Sequence, residues 1–329
     1  TEARKDSLKK NLDMFLSSKK EGEYIDELTW SDTGMEDIFL QMDNCLSSAG
    51  EEYLYRQLHD LSSSEEGIMN TDKIVTELYS DESLRMSLGK ALNELGFVKD
   101  RSLTEYLDKI LATDHILNPF FHIFADILYV LAIIVTVLKP AVGVFFILLI
   151  LIMQVSSYFS FKRKAEECLC GFSMIMGLAS MGKVLPSGQP SETGKLIDEL
   201  SGELKKIRLK TTFSAVVINS GSNATGGIFS MLFTYINLLF HFDLIAAEFL
   251  LRKIESSKDT ILSAYERTGY LDMCLAVSSY RAFLDKKGAF CIPEFNNDKY
   301  ISIMDGFNPL IDSPVANDAF NKGGVLITG

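Results

Sequence analysis

Between residues 127 and 153 the chain carries a single charge, Lys139, inside the segment VLKPAVG. A run this apolar must be covered, either by protein or by lipid. Reading helices at 120–138 and 141–159 gives two segments of 19 residues, each about 28 Å long at the helical rise. That length matches the roughly 30 Å hydrocarbon core of a bilayer. Lys139 and Pro140 supply the turn, since proline disfavours helix in the residue before it. The basic run FKRK at 161–164 follows at once, and such a cluster marks the cytoplasmic side of a span. His122 and Asp126 work against the first span, because a charge in lipid is costly. A buried helical hairpin in a soluble bundle is the other reading of the same residues.

The remaining composition is globular: of 329 residues, 47% are hydrophobic and 23% charged, so the chain has material for two or three domains and a sizeable core. A positive mean hydropathy follows from the local apolar excess. The net charge of −12 leaves no overall basic footprint for nucleic acid, although a local patch is compatible with it. Cys45, Cys168, Cys170, Cys274 and Cys291 are odd in number and form no C-x-x-C pair, which reads as reduced thiols in a cytosolic compartment. His59, His115, His122 and His241 lie far apart, so no metal-ligand spacing is present and no metal is expected. The first residue is Thr1 and no charged-then-apolar leader precedes the body. Both ends are expected to be those of a fragment.

Residues 1–27 carry one narrow apolar stripe, Leu8, Leu12, Phe15 and Leu16, the pattern of an amphipathic helix. In 33–61, Met35, Ile38, Phe39 and Met42 recur at helical spacing, and after the break at Ser47, Ser48, Ala49 and Gly50 comes helical EEYLYRQLHDL. SSSEEG at 62–67 reads as a loop, and 68–111 suits two or three more helices. The segment 228–251 is apolar but contains His241, Asp243 and Glu248, so a buried core helix running on to about Ala264 is expected. KLIDELSGELKKIRLK at 195–210 is helical with a basic end. Its Lys205, Lys206, Arg208 and Lys210 suit anionic lipid or a phosphate backbone, and equally a solvated helix face. Near Gly288 the character changes: Cys291, Ile292 and Pro293, then YISIMDG and GGVLITG, read as strands of an α/β domain.

Two stretches invite a phosphate-loop reading. GSNATGG at 221–227 follows an apolar run, but Gly227 stands where the phosphate-reaching lysine belongs. It reads as a flexible linker. In the terminal GGVLITG, Val325, Leu326 and Ile327 form a short buried strand that delivers Gly329, as strands deliver the first glycine of a phosphate-cradling loop. On spacing alone that signal is weak.

The segment FNPLIDSPVANDAFNKGGVLITG resembles the opening of the ATPase domain of the mismatch-repair MutS family, where an Asn-Pro motif, an Asn-Asp loop and a LITG strand lead into G-x-x-x-x-G-K-S/T. QMDNCLSSAGEEYLYRQL at 41–58 is similar to that family's core domain, and LDMCLAVSSYR at 271–281 to the helix that ends its lever arm. The likeness is greatest to membrane-anchored bacterial MutS-related proteins, which carry a hydrophobic insertion. Residues 1–40 hold nothing like the family's Phe-x-Glu mismatch wedge, the hairpin occupies the place of the DNA-gripping clamp, and Pro314 stands where many relatives stack an aromatic on adenine.

The resemblance therefore implies a mainly α fold. Its parts are an N-terminal amphipathic helix (1–27), a MutS-like helical core (28–118), a transmembrane hairpin (119–160), lever-arm and core helices (161–288), and the first strands of a P-loop α/β ATPase domain (289–329). It implies ATP and Mg2+ in the complete protein, hydrolysis at a composite homodimer interface, and mismatched or structured DNA as a ligand of true repair members. On the adenine side it implies Asn308 and Pro309 as a wall, Val315 as backbone contact and Asn317 as an amide, with Gly329 opening the phosphate loop. It also implies a cell-membrane location with both termini cytoplasmic. A different class of function, a non-catalytic membrane-tethered helical scaffold for a protein partner, fits the same helical body.

Overall fold

The structure, a computed structural model, describes residues 2–17, 23–97, 102–112, 119–186, 190–222, 235–236, 238–288, 290–298 and 300–323. Among these the fold is mainly α-helical with one small two-stranded sheet. The helices are α1 (Glu2–Leu16), α2 (Glu27–Asp32), α3 (Met35–Met42), α4 (Ser48–His59), α5 (Glu65–Ser80), α6 (Glu82–Leu95), α7 (Leu103–Ala112), α8 (Pro119–Leu138), α9 (Pro140–Met181), α10 (Glu192–Ser222), α11 (Phe242–Glu255) and α12 (Lys258–Lys287), followed by strands β1 (Ile301–Gly306) and β2 (Asn317–Asn321). The chain divides into two compact units, Thr1–Asn11 with Lys90–Thr268, and Leu12–Gly89 with Gly269–Gly329.

The starts of the short helices are written in their caps. Asp26, Ser47 and Ser64 each take an extended backbone, and their side-chain oxygens accept the N–H three residues on, from Thr29, Gly50 and Gly67 at 2.7, 3.3 and 3.1 Å. Each such bond satisfies one of the donors that a helix start leaves unpaired.

In the first unit α9 packs against α7, α8, α10 and α11, and α10 against α11. On α10, Ile197, Leu200, Leu204 and Ile207 are buried, a spacing that puts all four on one face. They share the core with Leu244, Leu250 and Ile254 of α11 and Ile175, Leu178 and Met181 at the end of α9. α9 is one continuous helix of 42 residues, about 63 Å long. Its two ends differ. The end near Met181 is covered, whereas Val142, Phe145, Leu148, Leu149 and Ile152 are exposed, as are Phe124, Ile127, Leu131, Ile134 and Val137 on α8. The two helices meet closely beside the turn: a Cβ at Gly143 would fall 2.3 Å from Thr136 Cα.

In the second unit α4 and the later part of α12 touch through small residues. A Cβ on Gly269 would lie 2.6 Å from the Ala49 carbonyl oxygen, and one on Gly50 would lie 2.3 Å from Asp272 Oδ2. Around this contact Phe39, Leu54, Val75, Leu78, Leu88, Leu271 and Ala276 are buried. Trp30 stacks on His59 at 3.7 Å, and Tyr55 meets Phe39 edge-on at 5.0 Å. Arg281 pairs with Asp72. β1 and β2 form an antiparallel ribbon in the register Ile301 to Asn321, Ser302 to Phe320, Ile303 to Ala319 and Gly306 to Asn317. One extra residue bulges from β1 between 303 and 306, where Asp305 takes a left-handed φ of 51°. Its N–H is held by Asp318 Oδ1 at 2.8 Å.

Several boundaries differ from the sequence reading. The helix expected to end at 159 runs on to Met181, because no proline follows Pro140 until Pro186. The helix expected over 195–210 spans Glu192–Ser222. The single core helix expected from the 228–251 stretch to Ala264 is interrupted: helical residues at 238–240 precede His241, which is left-handed (φ 52°). α11 follows it and ends at the turn of Ser256 and Ser257 before α12, and 228–234 lie outside the described residues. The SSSEEG loop is shorter than read, since α5 begins at Glu65. Cys291, Ile292 and Pro293 form no strand, Pro293 lacking the N–H that a ladder requires. The terminal run 324–329 and most of GSNATGG (223–227) lie outside the described residues.

These contacts set a pair of opposed outcomes. Gly50→Ala is expected to lower the thermal midpoint, at a cost of about 1–3 kcal/mol from overpacking against Asp272. Gly202→Ala, a helical site with open space around its added methyl, is expected to raise it by about 0.5–1 kcal/mol. Thermal unfolding followed by circular dichroism checks both signs.

Candidate functional site

Four of the five residues assigned to nucleotide lie on the β1–β2 ribbon and its connecting loop. Asn308 Oδ1 accepts the Leu310 N–H at 2.9 Å, and the Asn308 carbonyl accepts the Ile311 N–H at 3.2 Å. This is an asparagine turn, the local bonding that residue type favours. The Pro309 carbonyl is bound from outside the loop, by Gln41 Nε2 at 3.3 Å and Lys287 Nζ at 3.4 Å. Asn317 Nδ2 donates to the Val315 carbonyl at 3.0 Å, and the Val315 side chain is exposed. The sequence placed Asn317 in a loop, but it begins β2, opposite Gly306. Gly329 lies outside the described residues. The structure thus gathers Asn308, Pro309, Val315 and Asn317 at one end of the ribbon, with the Asn308 and Asn317 amides engaged in local turns.

Gln41 ties three distant segments together. Besides holding Pro309, it accepts the Tyr280 hydroxyl through Oε1 at 3.0 Å. Gln41 opens the QMDN stretch, Tyr280 ends LDMCLAVSSYR and Pro309 belongs to FNPLIDSP, so the segments that carry the family resemblance converge in one unit. The sequence reading missed Gln41, Tyr280 and Lys287; long-range bonds of this sort leave no periodic trace.

The four basic residues lie on α10, in the first unit. Lys205 and Lys206 are exposed, and Arg208 is half-buried beside the core positions Leu204 and Ile207. Lys210 has its side chain outside the described set. Among the described residues no group of three or more His, Cys, Asp or Glu is placed to hold a metal ion.

The strongest electrostatic feature is a residue the sequence reading passed over. Asp272 is fully buried, and its carboxylate sits against the start of α4. It accepts the Leu46 N–H at 3.0 Å, the Ser47 N–H at 2.8 Å and the Ser47 hydroxyl at 2.6 Å. The same hydroxyl oxygen accepts from Gly50 as the helix cap. Burial pushes the Asp272 carboxyl up to about 6, and the three donors oppose that rise. Burial also raises the thiols of Cys45 and Cys274, so neither is poised as a nucleophile. With no exposure to solvent, Asp272 joins α12 to α4 rather than meeting a substrate. The signal available in the sequence was an acid inside the apolar run LDMCLAV.

No family model, curated protein or solved structure matches the chain.

The Asp272 site carries a pH dependence of definite sign. Its folded value near 6 exceeds the unfolded value of about 3.9, so between those limits the folded state binds more protons than the unfolded one. The contribution of this group to stability therefore rises as pH falls from 7 toward 4, and is lost as pH rises through about 6. Melting curves at pH 7, 6 and 5 are expected to show wild type gaining on Asp272→Asn as the pH is lowered, by at most about 1.4 kcal/mol per pH unit. A pH-independent difference would contradict it.

Proposed function

We propose that this chain is the helical body of a membrane-anchored MutS-like ATPase, with the α8–α9 hairpin in the bilayer and the β1–β2 ribbon opening the nucleotide domain. The observation that carries the anchor is the contrast along α9: at the end near Met181 Phe172, Met174, Ile175, Leu178 and Met181 are buried, while the stretch after Pro140 exposes bulky apolar side chains. Among the described residues Pro140–Phe159 is the one stretch long and apolar enough to cross a membrane. The apolar stretch of α8, Ile123–Leu138, is shorter, at about 24 Å. A hairpin of that length sits with some local thinning or with its start at the headgroups. An exposed apolar surface of such extent marks a membrane or a partner, and its confinement to the tip of a long helix favours lipid.

The convergence of 41–58, 271–281 and the Pro309 loop through Gln41 supports the family reading. On that reading the ATP and Mg2+ of the complete protein are held mainly by a phosphate loop, and a homodimer supplies the composite site. DNA binding, where present, rests on the exposed lysines of α10 and falls with salt. The second reading, a membrane-tethered scaffold without catalysis, is favoured by one observation: the Asn308 and Asn317 amides are engaged in local turns.

Two experiments test the proposal. In cells, the chain is expected to stay with carbonate-washed membranes, and cysteines introduced at Ser17 and Asn296 are expected to label from the same, cytoplasmic side. Release by carbonate, or labelling from opposite sides, removes the hairpin anchor. In calorimetry, residues 1–329 are expected to bind ATP–Mg2+ more weakly than micromolar. The ribbon loop offers apolar cover and one or two hydrogen bonds of about 1 kcal/mol net each, against the roughly 8 kcal/mol that micromolar affinity requires. Micromolar binding would overturn the assignment of Asn308, Pro309, Val315 and Asn317.

A further inference from the structure

Where α8, α9 and the start of α11 come together, three polar residues meet. Gln154 of α9 is wholly buried, and its Nε2 donates to Asp126 Oδ1 of α8 at 3.1 Å. The Gln154 main-chain carbonyl accepts from His241 Nε2 at 3.1 Å, and the His241 ring stacks on Tyr158 at 5.5 Å. His241 is itself fully buried, in the left-handed conformation that starts α11. Two features of this cluster are unbalanced. Gln154 Oε1 is buried and accepts no hydrogen bond, and Asp126, half-buried, has among the described residues the Gln154 amide as its one hydrogen-bond partner and no ion pair.

A buried amide oxygen without a donor and a carboxylate without a counter-charge are each costly. One proton relieves both. A protonated carboxyl is a donor as well as an acceptor, and a primary amide presents its oxygen beside its N–H. Rotation of the carboxyl about Cβ–Cγ lets Oδ2–H serve Gln154 Oε1 while Oδ1 keeps the Nε2–H bond. We propose that Asp126 carries a proton at neutral pH and shares it with the Gln154 amide oxygen, closing a two-bond acid–amide ring between α8 and α9. The O–H bond forms at Oδ2 with a proton taken from water, which leaves hydroxide to the solvent, and no other bond changes. The ring makes residue 126 a proton-binding site within the hairpin.

Among the described residues the other ionisable and charged groups around α8 do not supply the missing charge. On α9, Tyr158 lies against His241. On α11, Glu248 is paired with Arg252 at 2.9 Å, and Lys253 and Glu255 lie on the same helix toward its far end. Tyr129 of α8 itself meets Phe240 edge-on at 6.0 Å, and Lys139 occupies the exposed turn. None of these bonds to Asp126. His241 Nε2 must be protonated to donate to the Gln154 carbonyl, which the neutral ring provides for as well as the charged one.

The test is infrared difference spectroscopy on the purified full chain in lipid nanodiscs, comparing wild type with Asp126→Asn at pH 7. The expected result is loss of a carboxylic-acid C=O band that moves in D2O, with Gln154→Leu shifting the same band to higher frequency. Loss of carboxylate bands instead would show Asp126 ionised, with a water or cation at Gln154, and would overturn the proposal. Thermal unfolding gives an independent reading. An asparagine at 126 can form the same two-bond ring as the protonated acid, so Asp126→Asn is expected to melt near wild type and Asp126→Leu clearly lower. Equal losses in the two variants would likewise overturn it.

Discussion

A carboxylate removed from water must be met by donors, and in the second unit that requirement joins two helices, α4 and α12. Asp272 takes two main-chain N–H groups and a hydroxyl from the two residues before α4. Ser47 is the cap of α4 and Leu46 the residue before it, so neither N–H belongs to the intrahelical ladder. Ser47 therefore caps α4 through one side of its hydroxyl and anchors it to α12 through the other. The approach is so close that residue 50 has no room for a side chain. Small residues, a cap and a buried acid form one interlocked joint.

The first unit solves the opposite problem, apolar surface without an apolar cover. Ile197, Leu200, Leu204 and Ile207 of α10 and Leu244, Leu250 and Ile254 of α11 are buried where these helices pack against each other and against α9. At the hairpin bulky apolar residues of both helices are exposed instead, Phe124, Ile127 and Leu131 on α8 and Phe145, Leu148 and Ile152 on α9. The polar exceptions there, Asp126, Gln154 and His241, turn toward one another rather than outward.

Much of the helical architecture was legible because it is periodic. The hairpin turn at Lys139, the break at Ser47 before α4 and the change of character at Gly288 all come from local chemistry that single residues announce. Helix ends without a proline or a glycine were not legible: nothing after Phe159 tells α9 to stop, and nothing before Phe242 announces that His241 will turn left-handed. The candidate site was legible as a list and not as a place. Asn308, Pro309, Val315 and Asn317 are close in sequence, so their neighbourhood follows from the chain itself. Gln41, which holds that region to the helices, and Asp272, which joins α12 to α4, act over more than 220 residues, and a sequence pattern records spacing along the chain rather than across it.

The continuity of α9 has a mechanical consequence. Its covered end near Met181 is fixed in a packed core, and its other end lies about 63 Å away with no break in the backbone ladder. A tilt of about 5° at the packed end displaces the tip by about 5 Å. Small repacking among Ile175, Leu178 and Leu204 is therefore magnified at the hairpin, and a force on the hairpin returns to the same core as torque.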